Sequence, residues 1–231
     1  QVYASEGDAL ACAVSPLDKG ARNWCRKEIA LFIEETLNQA VPCIIGINHG
    51  FSFPETYFDR HQLRSWDEFL KHFCSYWPTD YDHMYVGKAR TQNPPSGTNE
   101  ELRLCETWAV GTHSAFDFEI HGSVAKSTHA GLPWLKRLRE DPKIKKNTHF
   151  WPFDGFSVEP GCSVLVEVYP LFVRRRYPRL DRSVDQQDAY AVTTWLRDMD
   201  LRGALGGYFN PPLTLPERQK AKLEGWIFGV R

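Results

Sequence analysis

Three polar side chains stand where apolar segments end or turn inward. Asn48 follows the run Cys43-Ile44-Ile45-Gly46-Ile47, Glu167 lies near the end of "CSVLVEVYP" (residues 162–170), and Asp188 falls in "VDQQDAYAVTTWLRDM" (residues 184–199). Open α/β sheets bind ligands outside the carboxyl ends of their strands, so the three positions are expected to share one crevice. Carboxylates gathered in such a place repel one another unless divalent cations neutralise them. A pair of Mg²⁺ ions about 4 Å apart is the arrangement that serves in-line phosphodiester hydrolysis. Asn48 brings a carbonyl oxygen but no charge, which weakens a hard-cation site. His49 and His129 are candidates for proton transfer near neutral pH, set against a purely structural role for a lone histidine.

The elements that must position these residues follow from pattern. Residues 43–47 have the length and β-branching of a strand covered on both faces, as in a parallel sheet. In residues 162–170, Val164, Val166 and Val168 alternate with Leu165, Glu167 and Tyr169, and Pro170 marks the strand end because it cannot donate to a ladder. An outward-facing Glu167 on an edge strand is the plainer alternative. Ser183 and Gln186 form a capping-box pattern that opens a helix with Ala189, Val192, Leu196 and Met199 as its inward stripe. Asp185 suits the helix dipole in the first turn. Asp188 lies beyond that turn and shares the buried stripe, where an unpaired charge is costly, so it needs a metal or another cation as partner.

Upstream, "QVYAS" and "ALACAVS" flank Glu6-Gly7-Asp8 as a β-hairpin. Trp24, Ile29, Phe32, Ile33 and Leu37 recur at helical spacing between Asn23 and Asn38. A helical pattern spans residues 55–77, with Ser65 and Glu68 spaced as a capping box and Trp66, Phe69 and Phe73 on its apolar face. Residues 78–112, around "TQNPPSGTNEE", read as a long polar excursion.

The 231 residues, 42% hydrophobic and 13% aromatic, support one globular domain with a substantial core. No stretch approaches the roughly 18 apolar residues of a membrane span, and the start lacks the plan of a signal peptide, so the expected setting is cytoplasmic with no membrane partner. Six cysteines scattered singly read as reduced, mostly buried thiols rather than disulfides or a zinc site. A formal charge of −1 and a pI near 6.8 exclude a global pull toward nucleic acid. Local charge differs. Lys136, Arg137, Arg139, Lys143, Lys145 and Lys146 form one basic cluster, and Arg174, Arg175, Arg176, Arg179 and Arg182 another. Each is a solvated face or a phosphate-facing rim.

Gly122 with Ala125-Lys126-Ser127-Thr128 invites a phosphate-loop reading, but Phe118 and Ala125 occupy the glycine positions of the Walker pattern, which excludes an ATPase of that kind. A polar turn before a helix still offers donors to a phosphate, with Lys126, Ser127 and His129 as candidates beside His49; a simple polar connection is the alternative.

Together, "GINHGFSFP", "HGSVAKSTHAGLPWL", "HFWPFDGF", "VEVYP", "DQQDAYAVTTWL" and "NPPLTLPERQKAKLEGWIFGV" resemble a bacterial family of predicted nucleases with an RNase H-like fold, carried as a domain of unknown function and distantly similar to Holliday-junction resolvases. The resemblance runs from residue 43 onward. It implies an α/β fold with an RNase H-like mixed sheet flanked by helices, a single domain over residues 1–231, and an insertion at roughly residues 78–115. It implies metal-dependent hydrolysis of nucleic acid with Mg²⁺ or Mn²⁺, with Glu167 and Asp188 at the family's later acidic positions. Asn48 stands where the family pattern usually reads Asp. A first strand carrying a leading Asp is also implied, and the chain begins at the hairpin, so that strand lies outside it or the site is incomplete. Arg174, Arg175 and Arg176 are expected to rim the crevice. The competing expectation is a catalytically inactive nucleic-acid-binding module of the same fold; phosphotransfer from ATP, as in the related actin-like fold, ranks third.

Overall fold

Strands β3 (Ile44–Ile47), β4 (Thr148–Phe150) and β5 (Ser163–Glu167) form a parallel sheet in the order β3-β5-β4. The computed structural model describes residues 1–18, 20–21, 23–39, 41–93, 96–120 and 124–231. All five residues of the central strand β5 are buried, the near-continuous apolar run that a parallel strand covered on both faces requires. Its side chains alternate between two cores. Leu165 joins an aromatic cluster that includes Phe53, Phe69 and Phe73, while Val164, Val166 and Val168 pack with Trp195, Trp226 and Phe228. Glu167 therefore sits on a central strand, not on an edge. Gly46 is required on β3 because a Cβ there would meet Val168 Cγ1 at 2.8 Å.

Helices cover both faces, giving a mixed α/β architecture. α1 (Arg26–Asn38), α6 (Val124–Glu140) and α7 (Pro142–Asn147) pack with one another, and α3 (Trp66–Tyr76) packs on α6. α2 (Glu55–His61) and α3 divide the helical pattern of residues 55–77 at Gln62, which adopts φ +54°. Ser65 accepts from Glu68 N at 3.2 Å, while the Glu68 carboxylate reaches one residue further back, to Arg64 N. Trp66, Phe69 and Phe73 are buried as their spacing predicts. α8 (Val184–Leu201) opens with the full Ser183–Gln186 capping box. Its buried stripe runs through Ala191, Val192, Trp195 and Leu196, so Ala189 and Met199 are only half-buried; the helix is rotated to seat Trp195 in the core.

Strands β1 (Val2–Ala4) and β2 (Cys12–Val14) pair antiparallel, as the turn at Gly7 predicts. They form a sheet separate from the parallel one, where a single mixed sheet was expected. The hairpin lies on α8, held by Thr193 Oγ1–H donating to Tyr3 O at 3.2 Å and by the Tyr3–Tyr190 edge contact. Residues 78–115 carry α4 (Val86–Gln92) and α5 (Leu104–Trp108), with Ala89, Arg103, Cys105 and Glu106 buried. Pro94 and Pro95, within the stretch read as a polar excursion, lie outside the described residues. α9 (Leu215–Glu224) then leads into a C-terminal segment in which Ile227 bridges Glu167 in parallel fashion. All six cysteines are free; Cys105 is buried, but Cys12 and Cys25 are exposed and the other three half-buried, so the expectation of mostly buried thiols fails. No helix among the described residues is long and apolar enough to cross a membrane.

Candidate functional site

Ile47 pairs with Glu167, so Asn48, exposed just past β3, and the Glu167 carboxylate stand at adjoining carboxyl ends of the sheet. Glu167, 4% exposed, is engaged by Arg103, a residue from the segment read as a polar excursion. Arg103 Nη1 and Nη2 donate to the two carboxylate oxygens at 2.7 and 2.6 Å, and Phe51 N donates to Oε2 at 2.9 Å. Arg103 Nε donates to Glu106 Oε1 at 2.9 Å, so one buried guanidinium, 1% exposed, spans two buried carboxylates. Planar, bidentate pairing of this kind is what a guanidinium does and an ammonium does not. A third carboxylate, Glu224, accepts from Leu104 N at 2.6 Å and Glu55 N at 2.5 Å, satisfying the first N–H groups of α5 and α2. Burial raises the pKa of Glu106 against the pull of Arg103, and raises that of Glu224 against its backbone bonds.

Asp188 finds its partner fourteen residues upstream. Arg174 Nη2 donates to Oδ2 at 2.8 Å, and Arg174 Nε donates to Oδ1. The cation that the sequence demanded for Asp188 is thus a side chain. Glu167 and Asp188 have both oxygens committed to arginines, and among the described residues no group of three or more His, Cys, Asp or Glu is placed to hold a metal ion. The donor set in this arrangement does not fit a divalent cation bridged by carboxylates. Of the basic cluster, Arg174 is spent on Asp188, Arg182 stacks over Tyr190 at 3.4 Å, and Arg175 and Arg176 are exposed and form no ion pair among the described residues.

His49 and His129 are held as neutral rings. Burial lowers the His49 pKa to about 4, opposed by the bond to Gly50 O and by the Glu167 charge and aided by Arg26 and Arg103. His49 Nδ1–H donates to Gly50 O at 2.9 Å, and the ring packs over Gly131 of α6, where a Cβ would lie 2.4 Å from Nε2. His129 is fully buried among Phe53, Phe73, Trp77, Phe116 and Phe118, with Nδ1–H donating to Ala125 O at 2.9 Å. Burial lowers its pKa to about 3, so in this position it is a core residue and not a phosphate donor. Gly131→Ala is expected to destabilise the wild-type chain by about 1–2 kcal/mol through the His49 clash. In a His49→Ala background the same change should stabilise by up to about 1 kcal/mol, because only the helix propensity gain remains. A urea-denaturation double-mutant cycle reads this reversal of sign.

Lys126 is exposed on α6, whereas Ser127 Oγ–H donates to Val124 O of its own helix at 2.9 Å. Gly122, on which the phosphate-loop reading rested, lies outside the described residues. Lys126 borders a groove of about 560 Å³ that runs between the start of α1, α6 and residues 79–87. Arg26 and Lys27 flank it on one side, and Tyr81 and Tyr85, 68% and 67% exposed, on the other. Asp80 and Asp82 share that wall, so three cations face two carboxylates. Arg26, on the groove wall, also helps to lower the His49 pKa. The wall is tied to α6 by a consequence of sequence. Pro133 has no N–H to give the carbonyl four residues earlier, and Thr79 Oγ1–H donates to that carbonyl, His129 O, at 2.8 Å.

Arg103, Glu106 and Glu224, which dominate the site, were not singled out by sequence pattern; the one local signal is Glu106 in the first turn of α5, whose carboxylate accepts from Arg103 N at 2.8 Å. Compared with known proteins, the chain matches no family model, no curated protein and no solved structure.

Proposed function

We propose that the chain is a single-stranded nucleic-acid-binding module of RNase H-like lineage that does not cleave its ligand. The observation that carries this reading is the groove in which Arg26, Lys27 and Lys126 face the exposed Tyr81 and Tyr85. Cations track a phosphate backbone while exposed aromatic rings stack on bases without regard to sequence. The lineage is supported by the order hairpin, α1, β3 and by the family-like motifs around Asn48, Glu167 and Asp188. Absence of cleavage is supported by Arg103 and Arg174, whose guanidinium groups neutralise those carboxylates as metal ions do in a nuclease.

The competing reading is metal-dependent phosphodiester hydrolysis with Mg²⁺ or Mn²⁺ at Asn48, Glu167 and Asp188. It is supported by the register that sets Asn48 beside Glu167, and it requires both carboxylates to leave their arginines. One titration separates the two. Labelled single-stranded DNA and RNA oligomers are followed by fluorescence anisotropy over a range of salt, with and without each metal, and product is read on gels. The expected result is binding without cleavage. Tyr85→Ala should weaken binding by about 1–3 kcal/mol per unstacked base. Lys126→Gln should reduce the salt slope by about 0.7. Affinity and slope unchanged in both variants would remove the groove from function, and metal-dependent cleavage lost in Asp188→Asn would establish the hydrolase.

A further inference from the structure

Two carboxylates stand in a groove whose cations would hold a nucleic-acid backbone. Asp80 and Asp82 line it on either side of Tyr81, and neither side chain forms a hydrogen bond or ion pair among the described residues. Among phosphates an unpaired carboxylate is a cost, since like charges repel. Asp82 is exposed, but Asp80 is half-buried. Lys136 gives its hydrogen bond to Glu140 Oε2, at 2.6 Å, and meets Asp80 only as a coulombic neighbour.

The segment that carries Asp80 is fixed on both sides. Thr79 Oγ1–H donates to His129 O at 2.8 Å, Tyr81 N–H to Pro78 O at 3.2 Å and Met84 N–H to Tyr81 O at 3.1 Å. Asp80 is thereby a preorganised acceptor, next in the chain to a tyrosine that is 68% exposed. Trp134 adds half-buried aromatic surface on the α6 wall.

An ionised carboxylate accepts hydrogen bonds and donates none. Of the common bases, guanine alone presents two adjacent donors, N1–H and the N2 amino group, on the Watson–Crick edge that a single strand leaves open. They match the two oxygens of one carboxylate, as a guanidinium does in a bidentate pair. Adenine and cytosine each set a ring-nitrogen acceptor beside the amino group, and thymine and uracil flank their single N–H with carbonyls. Each of these turns an acceptor toward the carboxylate.

We propose that the groove selects guanine within a single strand, Asp80 reading the Watson–Crick edge of a base stacked on Tyr81 while Arg26, Lys27 and Lys126 hold neighbouring phosphates. The preference rests on the nucleic-acid binding proposed for this groove and adds a choice of base to it. A volume of about 560 Å³ lies within the roughly 300–1,000 Å³ of small-molecule sites, so one nucleotide fits.

Fluorescence anisotropy compares labelled oligothymidylate of roughly twelve nucleotides with the same strand carrying one central deoxyguanosine, deoxyinosine or deoxyadenosine. Deoxyadenosine controls for purine stacking. The guanosine strand should bind wild type about tenfold more tightly than the adenosine strand, the discrimination of one bidentate pair. Deoxyinosine, which keeps N1–H and lacks the amino group, should fall between them. Asp80→Asn should lose the preference and bind plain oligothymidylate at least as tightly as wild type does, because a repelling charge is gone. Asp82→Asn should strengthen every strand alike and keep the preference. If Asp80→Asn does not fold, the order guanosine, inosine, adenosine on wild type decides. Equal affinity for the guanosine and adenosine strands, or a preference that survives Asp80→Asn, would overturn the choice of base and leave the groove as a binding site. No binding of any strand would remove both.

Discussion

Arg103→Met is expected to destabilise the chain by roughly 3–5 kcal/mol, because removing one partner of a buried pair leaves an uncompensated charge. Here it leaves two, Glu106 and Glu167, both buried and both bound to the same guanidinium. Methionine fills much of the volume, so the loss reports charge and hydrogen bonding rather than a cavity. Arg103→Lys should recover only a minor part, since an ammonium cannot serve Glu167 bidentately while also reaching Glu106. The deficit should shrink as pH falls, because protonating the stranded carboxylates removes the buried charge. Urea midpoints of wild type and variant at neutral and mildly acidic pH give both quantities. A loss below about 1 kcal/mol, or a deficit independent of pH, would mean that the three side chains do not form the buried cluster described.

The second large effect is loss of stability in mild acid from His129. Its pKa lies at about 3 in the folded chain against 6.5 unfolded, with burial as the main cause. Between those values the unfolded state binds a proton that the folded state refuses, so stability is full above about pH 6.5 and declines as pH falls toward 3. Each tenfold difference in proton affinity between the two states is worth roughly 1.4 kcal/mol, so the fully developed loss is several kcal/mol. His49, lowered to about 4, adds to it in the same direction. Glu106 and Glu224, whose pKa values are raised by burial, act in the opposite sense and lose stability as pH rises through their folded values. Their window opens upward from the ordinary carboxylate range, so they offset part of the histidine decline. His129→Gln should lower the thermal midpoint at pH 7 and flatten its fall between pH 7 and 5. An equal slope in wild type and variant would show that His129 does not titrate on unfolding.

The parts of this architecture that local pattern reveals are the ones whose reasons are local. β3 and β5 are apolar runs of strand length, and the Ser183–Gln186 box marks the start of α8 within four residues of sequence. The adjacency of Asn48 and Glu167 also followed from reading both strands as parallel neighbours. What the carboxylates do was hidden. Glu167 meets Arg103 across 64 residues, and Arg103 meets Glu224 O across 121, so no periodicity within a helix or strand signals either contact. Polar composition around Pro94 and Gly97 made that region look solvent-facing, although Arg103 is among its most buried residues. Asp188 was legible as a charge in need of a cation, but a single sequence does not distinguish an ion from a guanidinium. The inward stripe of α8 was displaced because Trp195, larger than its neighbours, claims the core.

Glu224 completes the first turns of α2 and α5, which begin 169 and 120 residues earlier in the chain, and Phe228 N then donates to Glu167 O. During synthesis these amides stay without their partner until α9 has left the ribosome. The central strand likewise waits for residues 226–228 before its last carbonyl is bonded. This clasp is thus synthesised more than a hundred residues after the turns it closes, at about 5–20 residues per second.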